Sequence, residues 1–484
     1  MKRISLLIIL SLALIKANSQ NEVDALRYSQ NYYGGTARFT AMGGAFGALG
    51  ADFSTLSINP AGIGLYKTSE FTFTPTFYVG NTSSTYSGKT NEDNKYNFNL
   101  GNIGLVYDFF KRGKFAEGNG WKDVQFGFGI NRLNDFNNRV VIQGVSANSS
   151  MMNQYVASAN NNGKGSTIDE LDNFSTYLAY QNYLLNPIAG DSTHYNSPVT
   201  GNVNQQKTIT TDGSMNEFVI TLGGNYSDKI YLGATLGIPF IRYNEQSIYK
   251  EINLNDTIHN FNNYSVSDNL TTTGTGVNIK FGMIYRPNNI VRIGLAVHSP
   301  TFYSMEDQWS RKIDSDMGDS GKYTSTSPQG LFDYQLQTPW HLIGSLAFFI
   351  GDHGLISADY EFVDYTSAKL RSQNDDFFDA NQTIQGKYTN TNNFRFGTEW
   401  RLNPITLRAG YAFYQSPYKT TINDGKRTIL SFGVGFKEKN YFIDFAYSYS
   451  KQNEDYYLYN DAALNPVKNT ITGSSVMMTV GFKY

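Results

Sequence analysis

"INPAGIGLYKTSEFTFTPTFYVG", residues Ile58 to Gly80, joins two halves with opposite habits. From Phe71 the chain alternates strictly, with Phe71, Phe73, Pro75 and Phe77 on one parity and Thr72, Thr74 and Thr76 on the other. Successive strand residues point to opposite faces, so this stretch reads as a strand with one aromatic and one small polar face. Directly ahead of it, Asn59-Pro60-Ala61-Gly62 is a turn-forming knot without alternation. The fold has to explain both halves.

Alternation recurs to the last residue. Phe394, Phe396 and Trp400 alternate with Arg395, Glu399 and Arg401; Leu430, Phe432, Val434 and Phe436 with Ser431, Gly433 and Gly435; Val476, Met478, Val480 and Phe482 with Thr479, Gly481 and Lys483. A soluble sandwich also alternates, but it packs one face with aliphatics. Here the second face is Gly, Ser, Thr and charge, which suits a lipid-facing apolar band around a polar lumen. The expected fold is all-β, a transmembrane antiparallel barrel of about fourteen strands, an even number as single-chain bacterial barrels have. The windows are 71–79, 96–108, 123–132, 216–226, 229–240, 275–286, 290–299, 340–350, 354–363, 392–401, 405–413, 427–437, 440–449 and 474–484. Tight turns such as Ser227-Asp228, Gly351-Asp352-His353 and Leu402-Asn403-Pro404 alternate with long polar connections. Short turns belong to the periplasmic side and long loops to the outside, so both termini are expected in the periplasm.

The ends and the composition fit. Lys2 and Arg3 precede an apolar run from Ile4 to Ile15, and Ala17-Asn18-Ser19 supplies small residues, so 1–19 reads as a secretory signal peptide. No later stretch approaches the length of a membrane helix. Residues 20–70 are Gly- and Ala-rich, compact rather than charged, and are expected to fold inside the barrel as a plug; 71–484 form the barrel and its long extracellular loops. Charged residues are 17%, aromatics 15%, and the formal net charge of -2 argues against a nucleic-acid partner. The absence of cysteine excludes disulfides, thiolate metal sites and Cys nucleophiles.

The Gly/Ala-rich lead ending in Asn59-Pro60-Ala61-Gly62, with "TPWHL" (Thr338–Leu342), "FRFGTEWRLNPITLRAGYAFYQSP" (Phe394–Pro417) and "SFGVGF" (Ser431–Phe436), resembles the FadL/TodX family of outer-membrane long-chain fatty-acid transporters. The resemblance spans nearly the whole mature chain, while the inserts 133–215, 242–273 and 300–339 depart from the pattern. It implies a monomeric barrel in the outer membrane of a Gram-negative bacterium, closed by an N-terminal hatch that Asn59, Pro60, Ala61 and Gly62 would key into the wall. Hydrophobic small molecules or fatty acids would be captured outside, diffuse passively into the lumen and leave sideways into outer-membrane lipid. The alternative is a non-transporting barrel that anchors a secretion or assembly complex.

Candidate site residues follow. "STIDELDNFSTYLAYQNYLLNP", from Ser166, breaks the strand pattern and reads as a helix with Leu171, Phe174 and Leu178 on one face. That face is either a capture groove or a surface packed on neighbouring loops. Gly127 and Gly129 weaken the third strand, which loses its pattern at Asn131-Arg132. They mark either the family's lateral gate or plain barrel curvature. Inward Arg395, Glu399, Arg401, Arg408, Asp359, Glu361 and Asp444 form a luminal ion-pair lattice, or Arg395 or Arg408 holds a substrate carboxylate. Five scattered histidines supply neither a nucleophile–base pair nor a metal signature, so no enzyme, cofactor or metal is expected.

Overall fold

A computed structural model describes residues 21–109, 120–373, 375–419, 423–460 and 464–484. The proposed signal peptide lies outside the described residues.

Fourteen strands close into one antiparallel ring. They are β1 (Glu70–Tyr86), β2 (Lys89–Asp108), β3 (Trp121–Asp135), β4 (Val203–Tyr226), β5 (Ile230–Asn253), β6 (Asn263–Tyr285) and β7 (Val291–His298). The ring continues with β8 (His341–Ile350), β9 (Gly354–Asp364), β10 (Asn390–Leu402), β11 (Ile405–Tyr414), β12 (Arg427–Lys437), β13 (Tyr441–Tyr456) and β14 (Val467–Lys483). Each pairs with its successor, and β1 meets β14 from Glu70↔Lys483 to Thr85↔Lys468. Every expected window falls on one of these strands. Several strands run beyond the apolar window at the long-loop end: β2 begins at Lys89 rather than at 96, and β4 at Val203 rather than at 216.

The alternation sorts side chains as the sequence implies. Leu222, Phe281 and Phe432 face outward, 57%, 60% and 50% exposed, while Thr221, Thr479 and Ser431 on the other parity are buried. Trp121, Tyr226, Tyr285, Trp400 and Tyr441 are exposed near the short-turn end, the belt expected at a membrane–water boundary. Among the described residues no helix is long and apolar enough to cross a membrane. The strands make the crossing.

Residues 21–69 fill the lumen. Helices α1 (Glu22–Arg27) and α2 (Ala37–Ala41) and the 3₁₀ turns Phe53–Ser57 and Pro60–Leu65 are largely buried against the wall. One expectation is corrected here. Tyr484 lies at the short-turn end, bonded to Ser69, but Glu22 lies at the opposite end, where Lys387 and the Tyr388 hydroxyl contact it from the β9–β10 connection. The N-terminal segment therefore climbs the height of the lumen, because α1 buries Ala25 and Leu26 in an apolar cluster built from the upper strands and loops.

A folded cap covers the long-loop end. Its core joins helix α3 (Met151–Ala159), helix α4 (Thr176–Gln181), the hairpin Asn186–Asn196, side chains from the strand extensions such as Tyr249 of β5, and others from the connections, among them Ile142 and Ile313. The expected single helix from Ser166 is broken. A 3₁₀ turn, Ile168–Glu170, is followed by an Asx turn in which the Asp172 carboxylate accepts from Phe174 N at 3.1 Å and Ser175 Oγ at 2.5 Å, and only then by α4. Local side-chain bonds to the backbone outcompete helix propagation there.

Candidate functional site: lumen, seam and cavity

The Asn59-Pro60-Ala61-Gly62 knot is a lock between segment and wall. Asn59 caps the turn: its Oδ1 accepts from Ala61 N at 3.1 Å, and its Nδ2 donates to Gly47 O at 2.6 Å and to Met283 O of β6 at 3.3 Å. Pro60 fits the first helical position, where no N–H is needed. The wall answers with missing side chains. A Cβ on Gly233 would lie 2.3 Å from Pro60 O, one on Gly282 1.9 Å from Asn59 Oδ1, and one on Gly294 2.2 Å from Gly47 O. Small luminal residues are thus sockets for the plug rather than walls of a water channel.

Polar ties add to these contacts. Ser57 Oγ donates to Glu217 at 2.9 Å, a ring nitrogen of His298 meets Ile58 O at 2.7 Å, and Phe46 and Gly47 N donate to Asp359. Below the plug, a vestibule of about 1500 Å³ opens at the short-turn end, lined by charged residues including Lys67, Arg286 and Lys437.

The luminal lattice is present. Arg395 Nη1 donates to Glu361 at 3.0 Å, with Asp359 3.7 Å from Nη2; Arg408 donates to Glu399 at 2.9 Å and to Asp444 at 2.6 Å. Arg401 joins Glu399 from a more exposed position. Both candidate ligand-binding arginines are thereby neutralised by wall carboxylates, so an added carboxylate would have to displace one. The sequence reading missed Arg38 of α2, which also binds Glu399 at 2.9 Å, and the buried Lys280–Glu217 pair. Glu217 and Lys280 carried a readable signal, since both sit on the inward parity of their strands. Arg38 had none.

At β3 the wall opens. Its pairing with β2 runs from Asp108↔Gln125 to Asn102↔Asn131 and stops, while β2 continues to Lys89 along β1 alone. Candidate Asn131 forms this last rung; candidates Gly127 and Gly129 lie lower, in the paired part, where added Cβ atoms would strike Leu56 and Phe53 of the plug. Beyond the rung, β3 slips register with β4 between Arg132 and Asn134, the point where the alternation fails in the sequence. Residues 138–146 then lie against the inner side of the β1–β2 hairpin, with Thr82 Oγ1 donating to Asn138. Across the seam the contacts are side-chain ones: Lys89 to Gln143, Lys95 to Asp212 and Thr211 O, and Asp93 to Arg139. The plug takes up two carbonyls of β3, with Tyr32 N donating to Leu133 O at 2.8 Å and Gly34 N to Arg132 O at 2.9 Å.

Behind this seam lies a luminal cavity of about 120 Å³, walled by Tyr32, Tyr33 and Thr40 of the plug and by Thr76, Tyr78, Asn99, Arg132, Asp135, Tyr414 and Arg427 of the barrel. Burial raises the Tyr32 phenol, against the pull of the neighbouring Arg427 cation. In the cap, Leu171 and Leu178 are buried in the core, whereas Phe174 is half-buried and packs on Trp309 with ring centroids 5.7 Å apart.

A family model described as "Outer membrane protein transport protein (OMPP1/FadL/TodX)" matches residues 199–484. Outer membrane protein P1 of Haemophilus influenzae is 26% identical over 181 residues, covering 35% of this chain and 37% of that protein, so the match spans little more than a third of the relative. Among solved structures, a Pseudomonas aeruginosa FadL homologue superposes with a TM-score of 0.56 at 13% identity, over 94% of this chain and 99% of that one. The Pseudomonas putida toluene transporter TodX gives 0.55 at 13%, over 93% and 99%. The Ralstonia pickettii toluene transporter TbuX gives 0.51 at 16%, over 93% and 98%. At such identities the likeness to the solved structures is one of fold.

Proposed function

Because the chain belongs to the outer membrane protein transport family (OMPP1/FadL/TodX), a family of transport proteins rather than enzymes, we propose that it takes up hydrophobic molecules, long-chain fatty acids foremost, by passive diffusion. The observation that carries this reading is the unpaired β2–β3 seam beside a luminal cavity, in a barrel whose straight path is filled by residues 21–69. An apolar tail gains about 0.8 kcal/mol for each methylene removed from water, so a sideways route into lipid avoids rehydrating it below the plug. Residues 21–69 act as the hatch, with Asn59 to Gly62 as its fixed point. Outside, Phe174 on Trp309 supplies the capture ledge, and Leu171 and Leu178 hold that ledge in place. Gly127, Gly129 and Asn131 set the lower limit of the exit.

The route is testable because the chain has no cysteine of its own. Asn99 of β2 and Asp135 of β3 face each other across the seam, 3.5 Å apart between side-chain N and O. Asn99→Cys with Asp135→Cys, joined by a reducible bifunctional methanethiosulfonate, should stop uptake of labelled fatty acid, and reduction should restore it. Uptake that continues through the cross-linked barrel would remove the lateral route.

A further inference from the structure

We propose that a groove on the outer wall, over β3 to β6, is a fixed seat for one phospholipid of the leaflet at the short-turn end, with an acyl chain along the groove and the headgroup phosphate on Lys122. The inference stands on the barrel fold and is independent of the transport reading. Beneath the groove the strands stay paired rung by rung, Phe126 with Leu222, Leu222 with Ala234 and Ala234 with Phe281, so the wall there is continuous.

The first observation is a depression in a face that elsewhere carries large side chains. It measures about 720 Å³, inside the range of roughly 300–1,000 Å³ that small-molecule sites occupy. Leu222, Leu232 and Phe281 stand exposed along its sides. Its floor is Ala234 and Gly224, outward residues of β5 and β4. Trp121 overhangs one end, where a Cβ on Gly224 would lie 3.2 Å from the indole. The inner side of the same wall also lacks side chains, but there the plug fills the space: a Cβ on Gly223 would lie 2.5 Å from Ile63 and one on Gly233 2.3 Å from Pro60 O. The outer side faces lipid. A chain lying in the groove touches protein below and on both flanks, and so gains dispersion contacts that a flat wall would not give it.

The second observation fixes the depth and the head. Trp121 packs edge-on against Tyr226, ring centroids 5.8 Å apart, within the aromatic belt that marks the headgroup level. At that end Lys122 lines the groove and pairs with Asp228 at 3.0 Å, both side chains partly exposed. The ammonium has three N–H groups, and those that Asp228 does not take can donate to a phosphate through charge-assisted bonds. In phosphatidylethanolamine the head carries an ammonium beside its phosphate, so the Lys122–Asp228 pair offers a partner of opposite sign to each. Asp123, the other charged residue of the lining, is buried and accepts from Asn225 at 3.3 Å.

The test is native mass spectrometry of the full-length barrel in a maltoside detergent, titrated with palmitoyl-oleoyl phosphatidylethanolamine or with the diacylglycerol of the same chains. Heat-modifiable mobility certifies each variant as folded. The wild type should retain one phospholipid, held at least about tenfold tighter than the diacylglycerol, the scale of a hydrogen bond to a charged group. Lys122→Gln should bring the two lipids within about twofold. Ala234→Leu fills the floor and should abolish retention of both. Ala358→Leu, outward on β9 between Leu346 and Phe396, should leave retention unchanged. No retained phospholipid, retention that survives Ala234→Leu, or equal loss in Ala358→Leu overturns the seat. A wild type that appears as two chains without lipid also overturns it, since the groove is then covered by a second copy.

Discussion

At the scale of single residues, the plug is held by what the wall lacks. Gly233 and Ala234 are neighbours on β5, yet one meets Pro60 and the other, between Leu222 and Phe281, faces lipid. Gly233→Val should loosen the hatch by overpacking, at about 1–3 kcal/mol, and expose a cysteine placed at Ser57 to a water-soluble maleimide. Ala234→Val should change that labelling little, since substitutions clear of such contacts stay near ±0.5 kcal/mol. Equal labelling in both variants would show that the sockets do not hold the plug. The sequence made this partly legible: alternation put most glycines of the strand windows on the luminal face, but only the contacts of Gly233 with Pro60 and of Gly282 with Asn59 show these two to be sockets.

At the scale of elements, the strands were legible and the irregular segments were not. Each strand is set by a local, two-residue period, and all the expected windows are present. Their extensions above the membrane lack the outward apolar stripe of the windows, so the pattern that marks a membrane strand does not say where they end. The break in β3 was visible as lost alternation at Asn131-Arg132, although its consequence, the parting from β2, depends on a residue-by-residue register. The cap misled because helical spacing of Leu171, Phe174 and Leu178 survives in a turn followed by a short helix. Leu178, 2% exposed, belongs to the cap core, and Leu178→Ser should cost that unit about 2–4 kcal/mol and open 150–200 to protease. Phe174→Ser should leave the cap resistant while raising the fatty-acid concentration for half-maximal uptake. If both variants are cleaved alike, Phe174 is core and the ledge assignment fails.

At the scale of the whole molecule, the ring is closed and the large apolar side chains exposed on its strands, such as Leu222, Phe281 and Phe432, face outward, as in a membrane barrel. The purified protein should run as a monomer on a sizing column in detergent, show circular dichroism dominated by β-structure, and migrate differently in gels before and after boiling. A helical spectrum would contradict the fold, and a stable trimer the expected monomer. Topology was legible from turn lengths, but the position of Glu22 was not, because nothing in a plug's sequence says which way it climbs. That climb constrains assembly. A segment that spans the lumen from Glu22 to Tyr66, seated in wall positions without clearance for even a methyl group, has no wide channel through which to arrive late. The β1–β14 pairing must then be made around it, so the last step of biogenesis encloses cargo rather than merely joining edges. During refolding, burial of the Ser57 cysteine should never lag behind the gel-mobility shift that reports closure; labelling that persists after closure would mean that the plug threads in afterwards.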